Sequence, residues 1–278
     1  MEMVAVSKMK KAVTSALSSR EYALAALDLL VALSLERTVS HPLLETPTGN
    51  RTLMVMVASN RGLCGGFNVT LAKAVAQSFE KYGGKEFVDF VTIGKNAERL
   101  ARKLGADVRG SFVEFSEAQG MYGISGLRRL VLDEFSSGQY ARIVVAFNNY
   151  ISAVRYEPII RPILPITIEI VRNIVALGND AEFEKRQSSF GEGIYLFEPT
   201  EQDVLTEVLP QLVAVELYQI NLESVASEQS ARMVAMKNAS ESAGEMIEDL
   251  TLDANRARQD GITQEISEIA AGANALSA

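Results

Sequence analysis

The sequence predicts an α/β fold in which an N-terminal and a C-terminal helix pair as an antiparallel coiled coil around an inserted α/β domain. Helical patterns occupy both chain ends, short apolar runs alternate with amphipathic stretches between them, and the C-terminal helical pattern is too long for a globule of this size. These observations divide the 278-residue chain into an N-terminal helix at residues 1–40, an α/β domain at 50–200 and a long C-terminal helix at 203–278.

The first region is predicted to form one helix or two. It contains neither Gly nor Pro, and its apolar residues recur at spacings of three and four, as on one face of an amphipathic helix. Pro42 restricts the residue before it and therefore ends the helical segment. A loop with Pro47 and Gly49 follows.

The middle region alternates between strand-like and helix-like segments. The predicted strands are Thr52–Ala58, Phe87–Ile93 and Arg142–Phe147. The predicted helices are Asn68–Tyr82, Asn96–Leu104 and Ser125–Phe135. Because the strand segments are apolar throughout, we expect a mostly parallel sheet that is buried on both faces. A segment with Pro158, Pro162 and Pro165 is predicted to be an edge strand or a linker, and Phe183–Glu198 a loop or hairpin.

The third region is predicted to be a single long helix. A helix over Leu212–Leu276 would be roughly 100 Å long, about twice the diameter expected of a compact globule from this chain. Its apolar residues form a narrow seam of the kind found in coiled coils. We expect the N-terminal helix to cover part of this seam, with Ala243 and Met246 buried, and the tip around Ile262, Ile266 and Ile269 to require a binding partner.

Composition excludes several classes of function. The net charge is −8 and the isoelectric point about 5.0, so a basic surface for nucleic acid is not expected. One Cys excludes an intramolecular disulfide, and one His leaves no histidine cluster for a metal. Because no run of 18 apolar residues occurs, no transmembrane helix is expected. We expect a cytosolic protein without a cofactor.

A glycine-rich loop, Ser59–Asn68, follows the first predicted strand and precedes a helix. Its glycines and Arg61 allow an anion to bind at the helix start, and Cys64 near that start is a candidate reactive thiol. The simpler interpretation is a tight turn with a small buried cysteine. The loop therefore supports one alternative function, a free-standing α/β enzyme or anion-binding protein centred on Arg61–Asn68.

Several motifs along the chain resemble one family. They are SEQSARMVAMK at 227–237, NRARQ at 255–259, ITQEISEIAAGA at 262–273, MEMVAVSKM at 1–9 and RGLCGGFN at 61–68. Together they resemble the gamma subunit of F-type, proton-translocating ATP synthases, and they span essentially the whole chain.

The resemblance implies both a fold and a function. The fold is the coiled coil of terminal helices with a Rossmann-like inserted domain. The function is that of a central rotor shaft, without catalytic residues or a cofactor, that couples proton-driven rotation of a membrane ring to ATP synthesis. The implied partners are the alpha and beta subunits of the catalytic ring, the epsilon subunit and the membrane-embedded c-ring. The implied location is the cytoplasmic face of the bacterial plasma membrane, as a peripheral subunit.

Motif matching also implies contact residues. Those facing the catalytic subunits are Met1, Lys8, Arg232, Arg258, Gln259, Thr263, Glu265 and Glu268. The segment YLFEP at 195–199 resembles the foot of the family, so Tyr195 and Glu198 are implied to touch the membrane ring or the epsilon subunit.

The chain departs from the family pattern in two ways. Members usually carry a basic helical start before the segment matching residues 1–3, and without it we expect more of the long helix to be uncovered. With Cys64 as its single cysteine, the chain lacks the two-cysteine regulatory loop of plant plastid members.

Overall fold

The computed structural model describes residues 3–15, 41–113, 117–167, 198 and 200–277. The chain divides into two units, Met1–Met233 and Val234–Ala278. The first unit contains a sheet with helices on both faces, and the second is helical. Among the predicted segments, residues 16–40 and 183–197 lie outside the described residues.

The sheet has five strands in the order β3, β2, β1, β4, β5. The strands are β1 Arg51–Val57, β2 Val88–Ile93, β3 Val108–Phe112, β4 Tyr140–Ser152 and β5 Arg155–Leu164. Strands β1 to β4 are parallel to one another, whereas β5 returns antiparallel to β4. The side chains of β2 and nearly all of β1 are buried, as the unbroken apolar runs predicted.

The helices are α1 at residues 3–15, α2 Phe67–Ser78, α3 Lys95–Lys103, α4 Ser125–Ser136 and α5 Glu201–Ser277. Short 3₁₀ turns lie at Glu80–Tyr82, Lys85–Phe87 and Glu117–Ile124.

The helices cover the two faces of the sheet. On one face, α4 and the first part of α5 pack against the side chains of Leu53, Val55 and Val57. On the other face, α2 and α3 pack against Met54 and Met56. Because successive side chains of a strand point to opposite faces, β1 contributes to both cores and forms the centre of the three layers.

The predicted strands and helices of the middle region are confirmed to within a few residues at their ends, with one omission. β3 was missed because its sequence, VRGSF, is neither continuously apolar nor cleanly alternating. It lies at one edge of the sheet, where burial is incomplete and local composition carries a weak signal. The proline-punctuated segment is β5, at the other edge, where Pro158 and Pro162 are tolerated because a second neighbouring strand is not required.

The long helix α5 differs from its prediction in its burial. It begins at Glu201, two residues before the predicted start at 203, and contains Pro210 in its early turns. Residues 212–231 are almost entirely buried, and the described side chains from 237 to 274 are exposed. The expected burial of Ala243 and Met246 is therefore wrong. Met246 is 63% exposed, and Ala243 is exposed as well.

Candidate functional site

The glycine-rich loop lies at the carboxyl end of β1, where the strand order changes direction. From β1 the chain proceeds outward to β2 and β3 and then returns to add β4 on the other side of β1. In open α/β sheets, the crevice outside the carboxyl ends at such a switch point is the usual ligand site. The loop 59–68 is therefore at the position where an enzyme of this fold would bind its substrate.

Hydrogen bonds hold the base of this loop in one conformation. The Ser59 hydroxyl donates to the Arg61 carbonyl at 2.8 Å and accepts from the side-chain amides of Asn68 at 2.8 Å and Asn96 at 2.9 Å. The Ser59 backbone N–H in turn donates to the Asn68 side-chain oxygen at 3.2 Å. Gly94 lies beside these residues with φ of +95°, and a Cβ there would collide with the Ala58 carbonyl oxygen.

The crevice at the switch point is filled by the helix α5 of the same chain. The side chains of Cys64 and Phe67 form a buried cluster with Ala231 of α5, and the Tyr156 ring lies against Phe67 with centroids 5.7 Å apart. The Arg232 guanidinium donates to the carbonyl oxygen of Gly62 at 3.3 Å. The loop thus binds the long helix, and the interpretation as a tight turn with a buried cysteine is the one that the packing favours.

Two hydrogen bonds join the same crevice to β4. Asn148 of β4 donates from its side-chain amide to the Phe67 carbonyl at 3.1 Å. Its own carbonyl accepts from the Ser227 hydroxyl of α5 at 2.9 Å. The Ser227 bond therefore fixes α5 to β4 at the point where a ligand would otherwise lie, and the Phe67 bond fixes the start of α2 to the same residue.

The exposed part of α5 carries large apolar side chains. Those at least half exposed are Met246, Ile247, Leu250, Leu252, Ile262, Ile266 and Ile269. They do not form one narrow stripe, because Met246 and Ile247 differ by about 100° around the helix. Exposed apolar area of this extent on a single helix marks a surface that another protein covers.

The structure places the implied contact residues in two groups. Arg258, Gln259, Thr263, Glu265 and Glu268 are exposed on the second unit, and Lys8 is exposed on α1. Arg232 differs, since its side chain is only 12% exposed and is held by Glu228 at 2.6 Å as well as by the loop. Glu198 is exposed. Met1 and Tyr195 lie outside the described residues.

One buried ionic cluster was not anticipated. The Asp89 carboxylate, at the start of β2, accepts hydrogen bonds from Arg51 of β1, Arg109 of β3 and the Tyr140 hydroxyl of β4, the last at 2.7 Å. Burial raises the pKa of Asp89, but these hydrogen bonds outweigh it, and the pKa lies below its ordinary value. Burial and the bond to Asp89 raise the pKa of Tyr140. The cluster joins four neighbouring strands at their amino ends.

A second buried ionic cluster also escaped the sequence reasoning. Arg161 of β5 forms an ion pair with Glu216 of α5 at 2.9 Å, and its other terminal nitrogen lies 3.7 Å from Glu223. The guanidinium stacks over the Phe147 ring, 5.0 Å from its centroid. The sequence carried no signal for this cluster, since an arginine on an edge strand is ordinarily expected to face solvent.

No group of three or more His, Cys, Asp or Glu side chains among the described residues has the arrangement of a metal site. No helix within the described ranges is long and apolar enough to cross a membrane.

The sequence matches one family over nearly its full length. The family model for ATP synthase matches residues 1–276. An ATP synthase gamma chain from Nitrosococcus oceani is 34% identical over 278 residues, which cover 99% of this chain and 92% of the relative. An ATP synthase gamma chain from Heliobacterium modesticaldum is 34% identical over 279 residues, with the same coverage of both chains.

Two solved structures have a similar fold. A chain from the central stalk and c-ring of the Tetrahymena thermophila mitochondrial ATP synthase aligns with a TM-score of 0.62 at 22% identity, covering 86% of this chain and 97% of that one. A chain from the OSCP, F1 and c-ring assembly of the Euglena gracilis mitochondrial ATP synthase, in rotational state 3, aligns with a TM-score of 0.56 at 17% identity, covering 99% and 94%.

Proposed function

This chain belongs to the family of ATP synthase gamma chains, and we propose that it is the shaft that couples proton-driven rotation of the membrane ring to ATP synthesis in the alpha and beta ring. One observation of the structure supports this role above the others. The second unit is a helix whose large apolar side chains are exposed on several sides, as a shaft enclosed by a ring of partners requires.

The mechanism follows from the asymmetry of such a shaft. Three equivalent catalytic subunits that surround one helix face different side chains of it, because a single helix has no threefold symmetry. Each subunit then favours the conformation that best fits the side chains before it. When the shaft turns, these preferences pass from one subunit to the next. The chain contributes binding energy and torque, and it acts as a non-catalytic subunit of the complex.

Contacts with the catalytic ring are assigned to residues from both chain ends. On α5 they are Arg258, Gln259, Thr263, Glu265 and Glu268, and on the N-terminal helix they are Met1 and Lys8. The exposure of the α5 residues and of Lys8 supports the assignment. Arg232 is included as a residue that holds the glycine-rich loop and presents the remaining part of its side chain to the ring.

We further propose that the chain binds the c-ring and the epsilon subunit through Tyr195 and Glu198 of the foot segment. Glu198 is exposed, as such a contact requires. We assign residues 1–40 and 203–278 to the shaft and 50–200 to the domain that carries this foot. The chain would then be a peripheral subunit at the cytoplasmic face of the bacterial plasma membrane. The absence of a membrane-spanning helix among the described residues is compatible with that position.

Reconstitution with alpha and beta subunits tests the proposal. The complex should hydrolyse ATP and turn a bead attached to a cysteine introduced by Lys103→Cys, an exposed position on α3. The native Cys64 is 2% exposed, so labelling will be selective for the introduced thiol. The isolated chain, without alpha and beta subunits, serves as the control for turnover. Assembly without rotation, or turnover by the isolated chain, would contradict the proposed role.

A further inference from the structure

We infer that the β4–β5 hairpin is the element through which torque passes between the sheet and the long helix, and that Arg161 positions the two. This inference rests on the proposed function, because it concerns how a rotating chain carries its load. The helix α5 runs continuously from the first unit into the second, so torque that passes along it loads the side contacts of α5 with the rest of the first unit.

A row of polar residues on α5 faces the hairpin. The row consists of Glu216, Glu223, Ser227 and Ser230, which we call the polar stripe. The spacings of seven, four and three place all four within about 60° of arc on one face of the helix, over roughly 21 Å of its length. Each member is at most 7% exposed. The stripe is therefore a continuous buried line and not a set of scattered surface contacts.

Every member of the polar stripe contacts the hairpin. Glu216 and Glu223 contact Arg161 of β5 at 2.9 and 3.7 Å. The Ser227 hydroxyl donates to the Asn148 carbonyl of β4 at 2.9 Å, and the Ser230 hydroxyl donates to the Ala153 carbonyl, between the two strands, at 2.5 Å. The order of these contacts along α5 follows the order along β4, since Arg161 is paired with Val145. The hairpin thus runs alongside the helix.

Directional bonds resist a load that apolar packing resists poorly. Burial of apolar area opposes separation of two surfaces but has no preferred direction along them. Hydrogen bonds weaken steeply when their angle or length changes, and breaking the Arg161 pair leaves charges buried without their partner. Twisting α5 against the sheet would strain every contact of the stripe at once. The stripe therefore opposes the displacement that torque produces.

Arg161 has the central position in this arrangement. Its guanidinium reaches two carboxylates seven residues apart on the helix, and it stacks on Phe147 of β4. The planar group with its two terminal nitrogens can hold both carboxylates at fixed positions, whereas a lysine ammonium is a single point. One side chain thus links both strands of the hairpin to two carboxylates that lie about two turns apart on α5.

The test measures the torsional stiffness of the rotor in the assembled complex. A bead on the cysteine of Lys103→Cys reports the angular fluctuations while the tip of the shaft is held in a stalled catalytic ring. Removing the two hydroxyls with Ser227→Ala and Ser230→Ala deletes half of the stripe, and we expect the stiffness to fall by about twofold. Thr206→Ala is the matched control, because the Thr206 hydroxyl on α5 bonds to its own helix at Gln202. Its stiffness should equal that of the parent.

A second variant guards against a folding defect in the first. Arg161→Lys keeps the charge but cannot span Glu216 and Glu223 together, so it should also lower the stiffness while the rate of ATP hydrolysis stays near that of the parent. Equal stiffness in parent and both variants would overturn the inference, although the rotor function would stand. Loss of assembly in both variants would also overturn it, since the stripe would then be purely structural. A parent complex that assembles but does not rotate would instead contradict the proposed function.

Discussion

Phe67 is the residue whose removal should do most to loosen the long helix from the glycine-rich loop. Its side chain is fully buried between Cys64 and Ala231, and its ring lies 5.7 Å from that of Tyr156. Phe67→Ala removes most of the ring and leaves a cavity, because the backbone around it is held by hydrogen bonds at Ser59 and Asn148 and cannot collapse freely.

The expected loss follows from the full burial of the ring. Phe to Ala replacements at such positions cost about 3–5 kcal/mol of the free energy of unfolding. For a unit of this size that corresponds to a fall in melting temperature of roughly 10 °C. Phe67→Leu keeps much of the volume and should cost about 1 kcal/mol. Val69→Ala, two residues further along α2 at a side chain 55% exposed, should change stability by less than about 0.5 kcal/mol.

Urea unfolding followed by the near-ultraviolet circular dichroism of the tyrosines measures these differences. The chain has eight tyrosines and no tryptophan, so Tyr156 beside Phe67 contributes directly to the signal. A cost below about 1 kcal/mol for Phe67→Ala would refute the reasoning, because it would mean that the junction of loop and helix is not tightly packed. A large cost for Val69→Ala would refute it as well, since burial would then not be the cause.

Three further predictions test the sheet, the loop and the shaft. The folded pKa of Asp89 lies below its ordinary value of 3.8, so its ionised carboxylate stabilises the folded chain above that pH, and this stabilisation is lost as pH falls through the folded pKa. Urea midpoints measured across pH should therefore show a smaller loss of stability in acid for Asp89→Asn than for the parent. Gly94→Ala should destabilise by more than about 1 kcal/mol through its positive φ and the clash with Ala58, whereas Gly261→Ala, on the open helix, should stabilise by about 1 kcal/mol in thermal melts. Ile266→Asp should leave the melting temperature of the isolated chain unchanged, since this side chain is 61% exposed, but should weaken assembly with alpha and beta subunits in gel filtration; unaltered assembly would argue against an enclosed shaft.

Much of the fold was predictable because its signals are local. The apolar run of β1 reports burial on both faces by itself, and the helical spacing in α4 reports the one face that it buries. The edge strand β3 was not predictable, since its pattern depends on which neighbour it finds. The burial of Ala243 and Met246 was predicted wrongly for a related reason. An apolar seam indicates that another surface packs against the helix, but it does not indicate whether that surface belongs to this chain or to another protein.

The candidate site was likewise predictable only in part. The motif from 61 to 68 identified the loop, and its glycines and cysteine allowed two interpretations. The choice depended on what lies in the crevice at the switch point, and that is Ala231, a residue more than 160 positions away in the sequence. The pairing of Arg161 with Glu216 and Glu223 was equally hidden, because nothing near Arg161 in the sequence indicates a buried partner.

The sequence by itself determined the three central strands β1, β2 and β4, the long helix and, through its motifs, the family. These properties depend on residues close together in the chain or on matches that need no coordinates. The tertiary structure alone decided that the ligand crevice of the α/β domain is occupied by the chain's own helix. It also decided that the β4–β5 hairpin lies along the polar stripe of that helix, and that the described side chains from 237 to 274 are exposed to solvent. The physical reason is that burial, ion pairing and exposure are properties of neighbours in space, and these neighbours are distant in the sequence.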